Sequence, residues 1–205
     1  MVGDKITYFP SYQNVTNGVI QKLEKELNGK NRICIAVGGE SGSGKTSLAH
    51  ALKLDIEKEL SLKGFVFHLD DYFFLPPKDN HKNRIKNLKN VGSHEVNLKL
   101  LDNHLRAFIK QKDIPLKKPL VIYEKNKIMS EVINPKEYDF CIVEGTYTML
   151  LKVPALKVFI DKTYKETKAN RLERARDVMD DFNEKVLEIE HKIISKQPEL
   201  ADIIA

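Results

Sequence analysis

The stretch Gly39-Glu40-Ser41-Gly42-Ser43-Gly44-Lys45-Thr46 fits the pattern G-x-x-x-x-G-K-[ST] at every fixed position. It follows a short apolar run rich in β-formers, Arg32 to Val37, and precedes a segment suited to a helix, Ser47 to Leu54. Strand, glycine loop and helix in that order make a phosphate cradle, because the loop's backbone N–H groups converge as an anion nest at a helix N-terminus. Lys45 then reaches the β and γ phosphates and the Thr46 hydroxyl ligates Mg²⁺, with Glu40, Ser41, Ser43 and Ser47 completing the loop. Glycines at 39, 42 and 44 allow backbone angles and approaches that a Cβ would block. A glycine-rich turn that binds nothing would need this full match to arise by chance in the right context.

A chain of 205 residues can bury one substantial core, so a single domain over residues 1–205 is expected. Its formal charge of +5 comes from 34 basic and 29 acidic residues mixed along the chain. That suits a polyanionic small molecule and is too diffuse to argue for nucleic acid. No run of 18 apolar residues occurs and the N-terminus lacks a signal-peptide core, so no membrane contact and a cytoplasmic location are expected. Cys34 and Cys141 sit in apolar strand-like runs and read as buried thiols. The six histidines show no zinc spacing and no nucleophile partner pattern.

Residues 1–28 read as an extended arm up to residue 14, then a helix in which Val19, Ile20, Leu23 and Leu27 share a face. The helix after the glycine loop is expected to reach about Leu62, with Gly64 as its stop. Phe65 to Leu69 reads as a second buried strand that ends in Asp70-Asp71-Tyr72-Phe73. Ligands of open parallel sheets lie beyond the strand C-termini, where this acidic pair falls. The polar run Lys78 to Asn90 reads as a solvated loop, with a flap over an acidic substrate as the alternative. A helix follows over Asn97 to Lys110, and residues 118–134 suggest an inserted β-hairpin. Phe140 to Val143 forms a third buried strand that delivers Glu144 to the same edge, where a carboxylate reads as the Mg²⁺- or water-holding acid. Val158 to Asp161 is a fourth strand. Arg171, Arg174 and Arg176 then fall within residues 165–180, either as a solvated helix face or as a lid that brings positive charge to a transferring phosphoryl group. A last amphipathic helix around Phe182 to Ile193 and a short strand at Ala201 to Ile204 close the chain.

Four stretches together resemble the uridine kinase family of phosphate-loop kinases: Gly39 to Thr46, Leu69 to Phe73, Val143-Glu144-Gly145-Thr146-Tyr147, and Ile160-Asp161 leading into Arg171 to Asp177. The resemblance covers about residues 30 to 205. It implies an α/β phosphate-loop NTPase fold of three layers, α/β/α, around a five-stranded parallel sheet in the order 2-3-1-4-5, with the hairpin and a helical lid. It also implies ATP- or GTP-dependent phosphorylation of a hydroxyl. By that resemblance Asp70 is the catalytic Asp that orients and deprotonates the acceptor hydroxyl, and Thr46 and Glu144 hold Mg²⁺ with Asp70 beside it. Lys45, Arg171, Arg174 and Arg176 neutralise developing charge. Tyr72, Tyr123, Arg174 and Arg176 are expected to contact the acceptor. The family's Asp-His-Pro-Asp-like segment is replaced here by Asn90 to Asn97, and only Tyr123, with Glu124, carries over from its Tyr-Asp-Phe segment.

The resemblance therefore implies a small-molecule kinase with a nucleoside as leading acceptor, and a homo-oligomer is compatible with it. Pantothenate, glycerate or ribulose-phosphate type acceptors are the first alternative. A nucleotide-binding regulatory module is the second; it would need the phosphate loop and Glu144 but no acceptor base, and Asp70 argues against it.

Overall fold

The computed structural model describes residues 8–26, 32–110, 113–174 and 180–205. Five parallel strands form the main sheet: β1 (Ile33–Gly39), β2 (Gly64–His68), β5 (Phe140–Glu144), β6 (Leu156–Ile160) and β7 (Ile203–Ile204), in the order β2-β5-β1-β6-β7. This is the order expected from the family resemblance, with the strands of the main sheet counted in sequence. A separate antiparallel hairpin pairs β3 (Leu116–Ile122) with β4 (Lys127–Ile133).

Side-chain alternation along β1 explains the layers. Ile33, Ile35 and Val37 join Val19 and Leu23 of α1 (Tyr12–Glu26) and Leu48, Leu52 and Ile56 of α2 (Lys45–Leu60) in one core. Cys34 and Ala36 face the opposite way, into a core with Leu101, Leu105 and Phe108 of α4 (Leu98–Lys110) and Ile194 of α6 (Asp181–Ile194). Parallel strands buried on both faces need apolar residues at every position, and β1 and β5 are buried along their whole length. Cys34 and Cys141 are register partners on neighbouring strands β1 and β5, both buried as free thiols.

Three boundaries differ from expectation for physical reasons. The first helix begins at Tyr12, so the extended arm is shorter than residue 14, and residues 1–7 lie outside the described residues. The helix after the glycine loop stops at Leu60 with Ser61 in the left-handed region (φ 55°), not at Gly64. Gly64 instead opens β2, where the Phe140 ring lies so close that a Cβ would come within 2.3 Å of its Cζ.

The largest correction concerns the polar run after Pro76-Pro77. It folds as a helix, α3 (Pro77–Lys86), with Pro77 in its first turn, and not as a loop. Charged residues on most of its faces conceal any apolar stripe, and the helix is secured by buried polar contacts. Asn80 Nδ2 donates to Glu95 Oε1 at 2.9 Å, and Arg84 binds the same carboxylate through Nε and Nη2 at 2.7 and 2.9 Å. The hairpin is slightly longer at its start than expected, and α5 (Lys168–Arg174) occupies the first part of the proposed lid.

Candidate active site

Strands β1, β2 and β5 end at one edge of the sheet, and each delivers a chemically useful residue there. The phosphate loop leaves β1 and enters α2, with Gly44 at φ 97° as the residue before the helix. Gly42 lies at φ 77°, where a Cβ would come within 2.8 Å of Arg171 Cγ, so both strain and space call for glycine. Lys45 Nζ donates to the Glu40 carbonyl at 2.8 Å, which keeps the ammonium folded over the loop.

Glu144 ends β5 as a buried carboxylate and receives a 2.7 Å hydrogen bond from His68 Nδ1 at the end of β2. Burial pushes its carboxyl up, but the His68 hydrogen bond and the nearby charges of His68 and Lys45 outweigh that and leave it below its ordinary value. Asp70 follows β2 and is affected oppositely. Burial and the Glu144 carboxylate push its carboxyl up, while Lys45 and His68 partly offset them. The three expected groups, Lys45, Asp70 and Glu144, are therefore within electrostatic reach of one another.

Hard oxygen donors on Thr46, Asp70 and Glu144 suit Mg²⁺, which takes few protein ligands and completes its shell with waters and substrate phosphates. Among the described residues there is no group of three His, Cys, Asp or Glu side chains that could hold a metal ion on its own. The buried Glu144 carboxylate at the strand end, held by His68 and below its ordinary value, is the oxygen donor that fits a cation here.

A cleft of about 500 Å³ opens beside Asp70. Phe73, Val121, Tyr123 and Val186 form apolar and aromatic parts of its wall, and Ser41, Thr146 and Arg171 lie towards the phosphate loop. Tyr123 lines this cleft and is 37% exposed. Tyr72 does not line it: the residue is 2% exposed, its hydroxyl bonds His104 Nδ1 at 3.0 Å, and its ring packs into the core. The chain after β2 closes into a 3-10 turn over Leu69–Tyr72, which ends the strand alternation and brings Phe73 to the cleft in its place.

Arg171 is buried, and its Nη1 donates to the Tyr164 carbonyl and, at 2.9 Å, to Thr167 Oγ1. Around it, Thr167 Oγ1 donates to the Ser41 carbonyl at 2.8 Å and Asn170 Nδ2 to the Gly42 carbonyl at 3.0 Å. The base of the expected lid is thus seated on the outer side of the phosphate loop. Arg174 ends α5, and Arg176 lies outside the described residues.

Sequence reasoning missed the polar floor of the cleft. Arg84 joins Glu95 to Glu190 of α6, donating to Glu190 Oε1 at 2.9 Å, and both Arg84 and Glu190 line the cleft. Burial and the Glu95 charge raise the Glu190 carboxyl, and Arg84 only partly opposes them. Glu95 comes from the Asn90–Asn97 segment that departs from the family pattern; it acts on the cleft through Arg84. Pro77 at a helix start was the one available signal for α3, whereas Glu190 gave none apart from its place on an amphipathic helix.

A parallel sheet with a glycine loop, lysine and strand-end carboxylates at one edge defines a phosphate-loop fold. The model of the Phosphoribulokinase / Uridine kinase family matches residues 34–203, and the chain belongs to that family. The chain is 28% identical over 153 residues to a uridine kinase of Ureaplasma parvum serovar 3, covering 72% of this chain and 71% of that protein. It is also 28% identical over 201 residues to the bifunctional alpha-galactosidase/sucrose kinase AgaSK of Mediterraneibacter gnavus, covering 90% of this chain but only 21% of that protein's length. Among solved structures, phosphoribulokinase from Rhodobacter spheroides superposes with a TM-score of 0.66 at 14% identity, covering 86% of this chain and 70% of that one, a likeness of fold. No helix among the described residues is long and apolar enough to cross a membrane.

Proposed function

We propose that this kinase transfers the γ-phosphate of ATP or GTP to a hydroxyl of a neutral, polyhydroxylated small molecule, with a nucleoside as the leading acceptor. The observation that carries the reading is the state of Arg84, which lines the cleft but is held by Glu95 and Glu190. A cation paired with two carboxylates is poorly placed to take an acceptor's phosphate. Phe73 and Tyr123 offer faces for a ring, and Asp70 and Glu190 offer acceptors for hydroxyls. The uridine kinase and sucrose kinase relatives, whose names specify neutral acceptors, support the same class.

In this reading Asp70 orients the acceptor hydroxyl and accepts its proton, while the loop N–H groups and Lys45 bind the phosphates. Phosphoryl transfer has a loose transition state, so positioning and charge compensation contribute more than base strength. Mg²⁺ held by Thr46 and Glu144, with Asp70 adjacent, would supply charge neutralisation on the β and γ phosphates. Without a bound cation, burial and the Glu144 carboxylate raise the Asp70 carboxyl above its ordinary value, and Mg²⁺ at Glu144 would oppose that shift. The chain would act as one domain in the cytoplasm, where nucleoside triphosphates are available.

A second reading has its own observation. Lys78 and Lys82 are exposed at the rim of the cleft, so an acceptor that already carries a carboxylate or phosphate, of the glycerate, pantothenate or ribulose-phosphate type, could be met there. ADP release measured with Mg-ATP against nucleosides, neutral sugars and these anionic alcohols tests both. Turnover with a neutral polyol supports the first reading, turnover confined to anionic alcohols supports the second, and no response to any acceptor favours a regulatory module.

A further inference from the structure

Glu40 occupies the second position of the phosphate loop, a segment that presents N–H groups to a polyanion. A carboxylate there works against the binding of a triphosphate unless its charge is turned away and compensated. The side chain is 6% exposed, and each of its carboxylate oxygens has a partner outside the loop. Oε2 accepts from the Tyr164 backbone N–H at 2.6 Å, just before the base of the lid. Oε1 meets His191 Nδ1 of α6 at 2.5 Å. An ionised carboxylate can only accept, so His191 Nδ1 carries the proton in this pair. The Tyr164 ring flanks the imidazole, with centroids 5.6 Å apart, and fixes its plane. His191 is adjacent in sequence to Glu190, which lines the cleft, so consecutive residues of α6 serve the two halves of the site.

We propose that His191 is a positioning residue for nucleotide binding: its Nδ1–H holds the Glu40 carboxylate outside the phosphate nest and takes up part of its charge, so that the loop can receive a triphosphate. This rests on the reading that the loop binds a nucleoside triphosphate. Without His191 the Glu40 carboxylate keeps one donor and can swing towards the bound phosphates. The loss should therefore depend on the charge of residue 40, which a packing role for His191 would not require.

The test is a mutant cycle read by calorimetric titration with a non-hydrolysable ATP analogue and Mg²⁺, using wild type, His191→Ala, Glu40→Gln and the double variant. His191→Ala should weaken binding roughly tenfold with Glu40 present, the scale of one hydrogen bond to a charged group, and less than about twofold once Glu40→Gln is in place. His191→Gln, whose amide can still donate to Glu40, should stay within about threefold of wild type. If His191→Ala does not fold, His191→Leu fills similar space without a donor and takes its place in the cycle. Equal losses in both backgrounds, or no loss in His191→Ala while wild type binds the analogue, overturn this inference and leave the kinase reading standing. A wild type that binds no analogue overturns the kinase reading itself.

Discussion

Asp71 shows how much of this site depends on a residue that does not enter the cleft. Asp71 and Lys118 are each 2% exposed and form a buried ion pair at 2.9 Å, while Asp71 Oδ1 accepts from the Val121 backbone N–H at 2.9 Å. The pair fastens the β3–β4 hairpin to the end of β2, and the hairpin brings Val121 and Tyr123 to the cleft. Removing one partner of a buried pair costs about 3–5 kcal/mol, because the other charge is left uncompensated. Lys118 retains Glu131 at 2.5 Å, which places Asp71→Ala near the lower limit, about 3 kcal/mol. The unsatisfied Val121 N–H adds about 1 kcal/mol. At roughly 2–4 °C per kcal/mol for a chain of this size, Asp71→Ala should lower the melting temperature by roughly 8–16 °C. Below that temperature the acceptor KM should rise several-fold while nucleotide affinity stays within about twofold, since the phosphate loop is untouched. Asp71→Asn keeps an oxygen for Val121 and should lose less. Asp71→Ala combined with Lys118→Met, which removes the stranded ammonium, should recover at least half of the thermal loss. An unchanged melting temperature in Asp71→Ala, or a double variant no more stable than the single, would refute the reasoning.

If Lys45 contacts the phosphates as proposed, Lys45→Ala should weaken nucleotide binding and abolish turnover, measured by titration and ADP release, because its ammonium would serve ground and transition states alike. Cys34 and Cys141 are buried register partners, and burial pushes the Cys34 thiol up, so both should resist a thiol reagent in the native protein and react once it is unfolded in denaturant. The Glu190 carboxyl is raised above its ordinary 4.5, chiefly by burial, so its ionisation costs stability. Wild type should therefore gain stability relative to Glu190→Gln as pH falls through the raised value towards 4.5, and paired thermal melts across that range check the sign.

The parts of the fold that the sequence made legible are those specified locally. The phosphate loop, the buried strands β1, β2 and β5 and the carboxylates at their ends follow from apolar runs that stop at polar residues. The strand order came from the family resemblance, since nothing local in the chain specifies which parallel strands are neighbours. Helix α3 was hidden because its stability comes from Asn80 and Arg84 reaching the distant Glu95, so the helix has no apolar stripe to read. Tyr72, expected at the acceptor, lies in the core because a 3-10 turn after β2 resets side-chain direction, and no pattern in Asp70-Asp71-Tyr72-Phe73 announces that turn. Glu190 and His191 lie on α6 and acquire their partners, Arg84 and Glu40, across more than 100 residues. Such pairings belong to the tertiary structure.

In the proposed mechanism, Asp70 is the residue on which phosphoryl transfer depends most directly. Asp70→Asn retains shape and a hydrogen bond but removes the charge and the proton acceptor. In single-turnover transfer from ATP to the acceptor found by the ADP-release panel, the rate should fall by roughly 10²-fold or more, the usual contribution of a positioned base. Nucleotide affinity measured on the same preparation should stay within about tenfold of wild type, because the phosphate loop and Lys45 supply most of it. A transfer rate equal to that of wild type, with nucleotide still bound, would contradict the assignment of Asp70 as the group that receives the acceptor's proton.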